Sequence, residues 1–246
     1  MRIGIISDLH SNPDALQAVF DEFDRQKVEK MIFIGDILGI GHRSEECVKL
    51  LMSRSKQLIG AVSGNHEGYF FVAMPKYFHG DPKRPIDPEI VRYFAWNHSQ
   101  LSQDSIEFLR KLPKEQTIET DGAKIFVTHY PTGKAGVYDP FIPKPTLAEC
   151  EELFKDYNAD VYLFGHTHFL LEQRNDHQYF INPGSVGCPI ETNSASAGIL
   201  DIDNGKITYQ RIDAYYDIQK VIDETKQLIP EYPAAAEMLH IFFSND

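Results

Sequence analysis

Five times along this chain a short apolar run stops at an acid, an amide or an imidazole. Arg2-Ile3-Gly4-Ile5-Ile6 leads into Ser7-Asp8-Leu9-His10, and Lys30-Met31-Ile32-Phe33-Ile34 into Gly35-Asp36. Leu58-Ile59-Gly60-Ala61-Val62 leads into Gly64-Asn65-His66-Glu67, Lys124-Ile125-Phe126-Val127 into Thr128-His129, and Asp160-Val161-Tyr162-Leu163-Phe164 into Gly165-His166-Thr167-His168. Runs this short and this apolar read as buried strands. In open α/β sheets, residues just past the carboxyl ends of strands gather at one ligand-binding edge. Between the first runs lie helical signals. Asn12-Pro13 is an N-cap followed by proline, with Leu16, Val19, Phe20 and Phe23 at helical spacing; Ser44 reads as a cap with Glu45 and Glu46 in the first turn. Strand, loop and helix in that succession predict parallel βα units.

From Tyr69 to about Gln100 the pattern breaks. Aromatic residues alternate with Pro75, Pro82, Pro85 and Pro88, which predicts an irregular insertion or lid at about 69–100 with a helix over 88–97. Ser102 then caps a helix that Pro113 ends, with Leu101 and Ile106 placed as a hydrophobic staple. Asp121-Gly122 and Asn204-Gly205 predict two hairpins, and helices are expected over 147–157, 216–228 and 234–242. No repeat or linker divides the chain, so a single domain over 1–246 is expected.

Composition narrows the function classes. No apolar run approaches the roughly 20 residues that span a bilayer, and the start lacks a signal peptide's pattern, so a cytoplasmic location is expected. Cys47, Cys150 and Cys188 have no metal-site spacing and read as reduced, packed thiols. A formal net charge of −12 argues against extended nucleic-acid binding, because no basic stripe could displace counterions from a polyphosphate. A small phosphate-bearing substrate remains compatible if bound cations supply the local positive field.

The polar groups at the strand ends have metal-ligand character. On an extended strand Asp8 and His10 face the same way and can reach one ion. Asp8, His10, Asp36, Asn65, His129, His166 and His168 together offer mixed nitrogen and oxygen donors with no thiolate, which suits Mn, Fe or Zn. Seven groups are too many for one tetrahedral ion, and two ions sharing one carboxylate would use them all. Each group alone has a bland reading, such as a turn Asp or a loop Asn bonded to its own backbone. Together their order is hard to explain without an ion.

The succession Asp-x-His, Gly-Asp, Gly-Asn-His-Glu, His, Gly-His-Thr-His over residues 8–168 resembles the calcineurin-like metallophosphoesterase family. Asn182-Pro183-Gly184-Ser185-Val186-Gly187 is similar to a segment of its small prokaryotic phosphodiesterase branch. The resemblance implies a four-layer α/β/β/α sandwich of two mixed sheets flanked by helices, with the metal site at the strand carboxyl edge. It implies that Asp8, His10, Asp36 and His168 hold one ion, that Asp36 bridges, and that Asn65, His129 and His166 complete the second. His66 would be the acid over the reacting phosphate. Two cations about 3.5–4 Å apart would activate water for in-line attack on a phosphodiester or a nucleotide pyrophosphate bond, diadenosine polyphosphates among them. The likeness to asymmetrical diadenosine tetraphosphate hydrolases extends to the closing Arg211-Ile212-Asp213 strand and the helical tail.

Departures from the family pattern also carry information. Gly35-Asp36-Ile37-Leu38-Gly39-Ile40 lacks the Asp and Arg that follow the Gly-Asp motif in the protein-phosphatase branch, and Ser63 replaces an Arg before Gly-Asn-His. His66 is therefore left with no evident orienting partner. Near Cys188 and Ile190 the Gln and Arg usual in the phosphodiesterase branch are missing. The alternatives are a phosphomonoesterase and a non-catalytic protein-binding scaffold of the same fold, the latter with a degraded site that this chain does not have. His42, His79, His98, His177 and His240 read as surface or structural residues. The aromatic insertion, with Arg43, Lys83, Arg84, Lys134 or Lys144 nearby, could stack a base and meet phosphates, but core packing and solvation explain those residues better.

Overall fold

The computed structural model describes residues 1–77, 82–132, 138 and 140–243; Phe78, His79 and Lys134 lie outside them. The chain opens with three parallel strands, β1 (Arg2–Ile6), β2 (Lys30–Phe33) and β3 (Leu58–Ala61), linked by helices α1 (Pro13–Arg25) and α2 (Ser44–Ser53). Three helices follow: α3 (Asn65–Phe71), α4 (Pro88–Ser99) and α5 (Gln103–Arg110). A second sheet is then built from β4 (Glu115–Thr120), β5 (Ala123–Thr128), β6 (Val161–Leu163), β7 (Leu170–Arg174) and β8 (Tyr179–Pro183), with α6 (Leu147–Leu153) preceding β6. Its order is β4-β5-β6-β8-β7. The chain returns to the first sheet with the hairpin β9 (Ala195–Asp203) and β10 (Lys206–Ala214), giving the order β10-β9-β1-β2-β3, and closes with α7 (Ile218–Lys226) and α8 (Ala234–Phe243).

Side-chain alternation along the strands makes the layers. Ile3 and Ile5 of β1 and Ile32 of β2 meet Ile125 and Val127 of β5 and Val161 and Leu163 of β6, so the two sheets pack face to face. Ile6 and Phe33 point the other way into a core with Leu16, Val19, Phe20 and Phe23 of α1 and Val48 and Leu51 of α2. Gly4 has no side chain because the Phe23 ring fills its place; a Cβ there would lie 2.3 Å from that ring. Behind the second sheet, Phe126, Tyr162 and Phe180 pack on Cys150 of α6 and on Phe154, the residue that ends that helix. The expected sandwich of two mixed sheets between helices is the observed fold, and each fully buried Ile or Phe in it contributes roughly 1.5–3 kcal/mol.

Several elements differ from expectation. The chain after Gly64 is helical from Asn65 to Phe71, because Glu67 sits at the third helical position and accepts the Gly64 N–H at 2.7 Å, a backward cap. Arg43, not Ser44, is the N-cap of α2; the Ser44 hydroxyl instead meets the Ser11 hydroxyl at 2.6 Å. The helices expected over 147–157 and 216–228 are shorter, at Leu147–Leu153 and Ile218–Lys226. Strand β7 had no signal: it is a half-exposed edge strand of mixed character, Leu-Leu-Glu-Gln-Arg. The caps at Asn12 and Ser102 are as expected, and so are both hairpins. All three cysteines are free and buried. No helix among the described residues is long and apolar enough to cross a membrane. Part of the 69–100 segment and the tail share a small core of their own, in which Tyr93 and Phe94 of α4 pack with Ala235 and Met238 of α8 and with Ile40 and Cys188 from loops.

Candidate metal centre

The first sheet delivers Asp8 and His10 past β1, Asp36 past β2 and Asn65 at the start of α3; the second delivers His129 past β5 and His166 and His168 past β6. All seven meet where the two sheets open. Asp8, His10 and His168 form one group with donor atoms within 4.8 Å of each other; Asp36, His129 and His166 form a second; and His10, Asp36 and His66 join the two. Asn65 Oδ1 lies 3.2 Å from His129 Nε2 and 2.8 Å from His166 Nδ1, inside the second group.

The local backbone is unusual. Asp8, His10, Asp36, His166 and His168 have φ of 55°, 43°, 57°, 68° and 61°. Left-handed conformations at non-glycine residues cost about 1–3 kcal/mol each and cluster at functional sites. They also overturn the reading of Asp8 and His10 as two positions on one extended strand: β1 stops at Ile6, and tight left-handed turns converge the two side chains. Surrounding hydrogen bonds hold these turns. Asp8 N–H donates to Gly35 O and His10 N–H to Asp36 O, both at 3.0 Å, while Ser185 Oγ donates to Asp8 O at 2.7 Å. Asn182 Nδ2 donates to Gly165 O at 2.9 Å and to Thr167 Oγ1 at 3.1 Å, bracing the turn that carries His166 and His168. The Asn182-Pro183-Gly184-Ser185 segment is thus a support for the ligand turns.

Glu67 is the main residue that sequence reasoning missed. It is buried, and its carboxylate accepts four backbone N–H groups: Asp36 at 2.9 Å, Ile37 at 3.0 Å, Leu38 at 3.1 Å and Gly64 at 2.7 Å. It fastens the loop carrying Asp36 to the start of the helix carrying Asn65. Burial and the adjacent Asp36 carboxylate push the Glu67 carboxyl up to about 7, against the opposing pull of those N–H donors. Its spacing three residues after Gly64 was the available signal.

The imidazoles present their lone pairs inward. His10 Nδ1 donates to Leu38 O at 3.1 Å, His168 Nδ1 to Cys188 O at 3.0 Å, and His129 Nδ1 to Ile34 O at 2.8 Å. A carbonyl only accepts, so the proton of each neutral ring sits on Nδ1 and Nε2 is bare. His10 Nε2 and His168 Nε2 are then two acceptors 3.0 Å apart, and His129 Nε2 faces Asp36 Oδ2 at 3.1 Å and Asn65 Oδ1 at 3.2 Å. Acceptors that converge in this way repel unless a cation lies between them. Backbone anchoring of the far nitrogen is the usual arrangement around ligating histidines. The donor set therefore fits metal ions.

Protonation answers the same need. Burial lowers the affinity of His129 for a proton, but the Asp36 carboxylate outweighs it and raises the ring to about 9. Burial likewise opposes His168, and Asp8 drives it well above the usual value. Burial and the neighbouring rings depress His10 and His166 to about 3. Without an ion these carboxylates draw a proton to His129 and His168, and a bound cation would take the place of that proton.

His66 lies at the edge of this cluster, its Nε2 4.0 Å from Asp36 Oδ2 and its ring centre 4.9 Å from that of His10. Its Nδ1 is buried without a hydrogen-bond partner among the described residues. Packing orients it instead: Tyr69 and Phe94 flank the ring at 5.1 and 5.5 Å, and a Cβ on Gly39 would fall 2.0 Å from Nδ1. Arg43 and Lys144 are paired with carboxylates, Asp14 and Glu191, away from the cluster.

The calcineurin-like phosphoesterase superfamily domain matches residues 1–205. An uncharacterized protein of Methanocaldococcus jannaschii is 31% identical over 254 residues, 94% of each chain. Phosphodiesterase YfcE of Escherichia coli is 22% identical over 203 residues, 82% of this chain and 89% of the relative. A metallophosphoesterase from Sphaerobacter thermophilus has a crystal structure that superposes with a TM-score of 0.71 at 25% identity, covering 99% of both chains. With most of its length matched in sequence and fold, the chain belongs to the calcineurin-like phosphoesterase superfamily and is a metal-dependent phosphoesterase.

Proposed function

We propose that the chain hydrolyses phosphodiesters or nucleotide pyrophosphate bonds, diadenosine polyphosphates being one member of that class, at a centre of two metal ions. Asp8, His10, Asp36 and His168 hold one ion; Asp36, Asn65, His129 and His166 hold the other. The supporting observation is that the inward-facing donors fall into two groups, Asp8, His10 and His168 and then Asp36, His129 and His166, with Asp36 also close to His10. Nitrogen and oxygen donors without thiolate suit Mn or Fe, with Zn the alternative. Such ions supply a nucleophile from water at neutral pH and offset charge developing at phosphorus.

The chain's own groups do the rest. His66, at the edge of the cluster beside His10 and Asp36, gives a proton to the departing ester oxygen. Glu67 and the Asn182–Ser185 segment keep the ligand turns in register while the phosphate changes shape. Segment 69–100 acts as a lid within one domain over 1–246; of its described part, α4 packs against α8. Three buried free thiols are in keeping with a reducing cytoplasm.

Asp36→Asn tests the bridging role. It is expected to lose at least one equivalent of metal by elemental analysis after loading with Mn, and full occupancy would refute the shared carboxylate. Loaded protein inert towards bis-p-nitrophenyl phosphate, nucleotides and dinucleotides across Mn, Fe, Co and Zn would instead favour a binding scaffold.

A further inference from the structure

A cleft of about 720 Å³ opens from Asn65 and runs between α3, the end of α5 and the start of β4. Its near wall is aromatic: Tyr138 stacks on His166 with ring centres 5.3 Å apart and planes at 21°, and Tyr69 lies against His66. Phe71 extends that wall, and the remaining lining mixes apolar side chains (Val72, Leu109, Leu112) with polar ones (Ser63, Thr128, Thr132). At its far rim stand two cations, Arg110 and Lys114. Arg110 lies over the Phe71 ring at 4.9 Å, and Lys114 is exposed; neither has a carboxylate partner among the described residues. In a chain of net charge −12, Arg110 and Lys114 put two positive charges on the lining of one cleft. Glu115, also on the wall, accepts from Tyr157.

Lys114 is fixed relative to the metal centre. Its carbonyl accepts from Thr128 Oγ1, next to His129, and the preceding carbonyl, of Pro113, accepts the Ser63 N–H at 2.8 Å, two residues before Asn65. A ligand lying along the cleft would place one end at Asn65 and the other at these cations.

We propose that this cleft binds a nucleoside monophosphate unit of the substrate, with the base on the tyrosine wall and a second phosphate on Arg110 and Lys114. Aromatic faces accept any base by stacking, and the cations add charge-assisted bonds to a terminal phosphate. The preferred substrates are then short diesters or pyrophosphates that carry an additional phosphate beyond the one attacked. This rests on the hydrolase reading for its meaning, but the cleft can be tested without metal.

In metal-free protein, equilibrium dialysis is expected to show adenosine 5′-monophosphate binding at least tenfold more tightly than adenosine. Arg110→Ala/Lys114→Ala removes that difference, Tyr138→Ala weakens both ligands, and Lys111→Ala, whose exposed side chain does not line the cleft, changes neither. With Mn-loaded enzyme, kcat/KM for 5′-phosphorylated adenylyl-adenosine exceeds that for adenylyl-adenosine at least tenfold, mainly through KM, and the double variant abolishes the ratio. Equal binding of nucleotide and nucleoside, or a ratio untouched by the double variant, overturns the assignment. Nucleotide binding as expected in a protein that hydrolyses no diester when loaded upholds the cleft and overturns the hydrolytic reading alone.

Discussion

His66 has a buried ring nitrogen with no hydrogen-bond partner among the described residues, and its orientation comes from neighbours that occupy space around it. His66→Ala should therefore keep its metal and lose about 10²- to 10⁴-fold in kcat, the range for a positioned acid, as measured with bis-p-nitrophenyl phosphate and elemental analysis. Gly39→Ala is the sharper variant. With φ of +82° and a Cβ that would fall on His66 Nδ1, it should displace the ring and lower kcat at full metal content. A Gly39→Ala enzyme with normal turnover would show that the ring is not held by packing. Residue identity at the strand ends was legible because acids and imidazoles rarely follow five apolar runs by accident. The left-handed turns were not legible, since Asp and His carry no signal for positive φ comparable to glycine's. Gly39 and Glu67 were likewise hidden, because their work is done by a missing side chain and by contacts some 30 positions away.

At the level of elements, most strands and caps could be read from periodicity, whereas α3 and β7 could not. In α3 the proposed ligand Asn65, the proposed acid His66 and the capping carboxylate of Glu67 occupy three successive positions, and the motif masks the helix signal. The join between α2 and α5 offers a pH test. Glu45 accepts the Ser102 N–H at 2.9 Å and meets Lys49 at 2.9 Å. Burial raises its carboxyl, but the Ser102 N–H and Lys49 outweigh that and lower it from 4.5 to about 2. A depressed folded-state value stabilises the fold above the unfolded value and ceases to do so as pH falls through the folded one. Wild-type protein should lose stability from pH 4.5 down to about 2 that Glu45→Gln never had. The gap between their urea midpoints should accordingly close across that window; a constant gap would place the stabilisation elsewhere.

Across the whole molecule, the two sheets meet through apolar packing and a few polar ties, such as Ala61 N–H to Gln116 Oε1 and Tyr179 OH to Ile207 O, and the candidate metal centre lies where the ends of both come together. Ions held as proposed would tie the ends of β1 and β2 to those of β5 and β6. Chelation should lower the melting temperature by roughly 5–10 °C, from about 2.7 kcal/mol at hundredfold saturation and about 2–4 °C per kcal/mol for a chain of this size. Calorimetry with and without a chelator measures it, and an unchanged transition would mean that the ions do not bridge the sheets. The sandwich itself was legible from alternating strands and helices together with the resemblance of the motifs. The small core that joins α4 to α8 was not, because those helices lie some 140 positions apart and no local pattern records that pairing.

The inward histidines have a wider consequence. Since peptide carbonyls already grip the outer nitrogens of His10, His129 and His168, filling the cage freezes few additional rotors, and the donors keep their spacing whichever ion enters. Selectivity among similar divalent cations must then be weak, so abundance in the surroundings decides which one is carried. Protein produced in manganese-rich or iron-rich medium should differ in its elemental content while sharing one backbone.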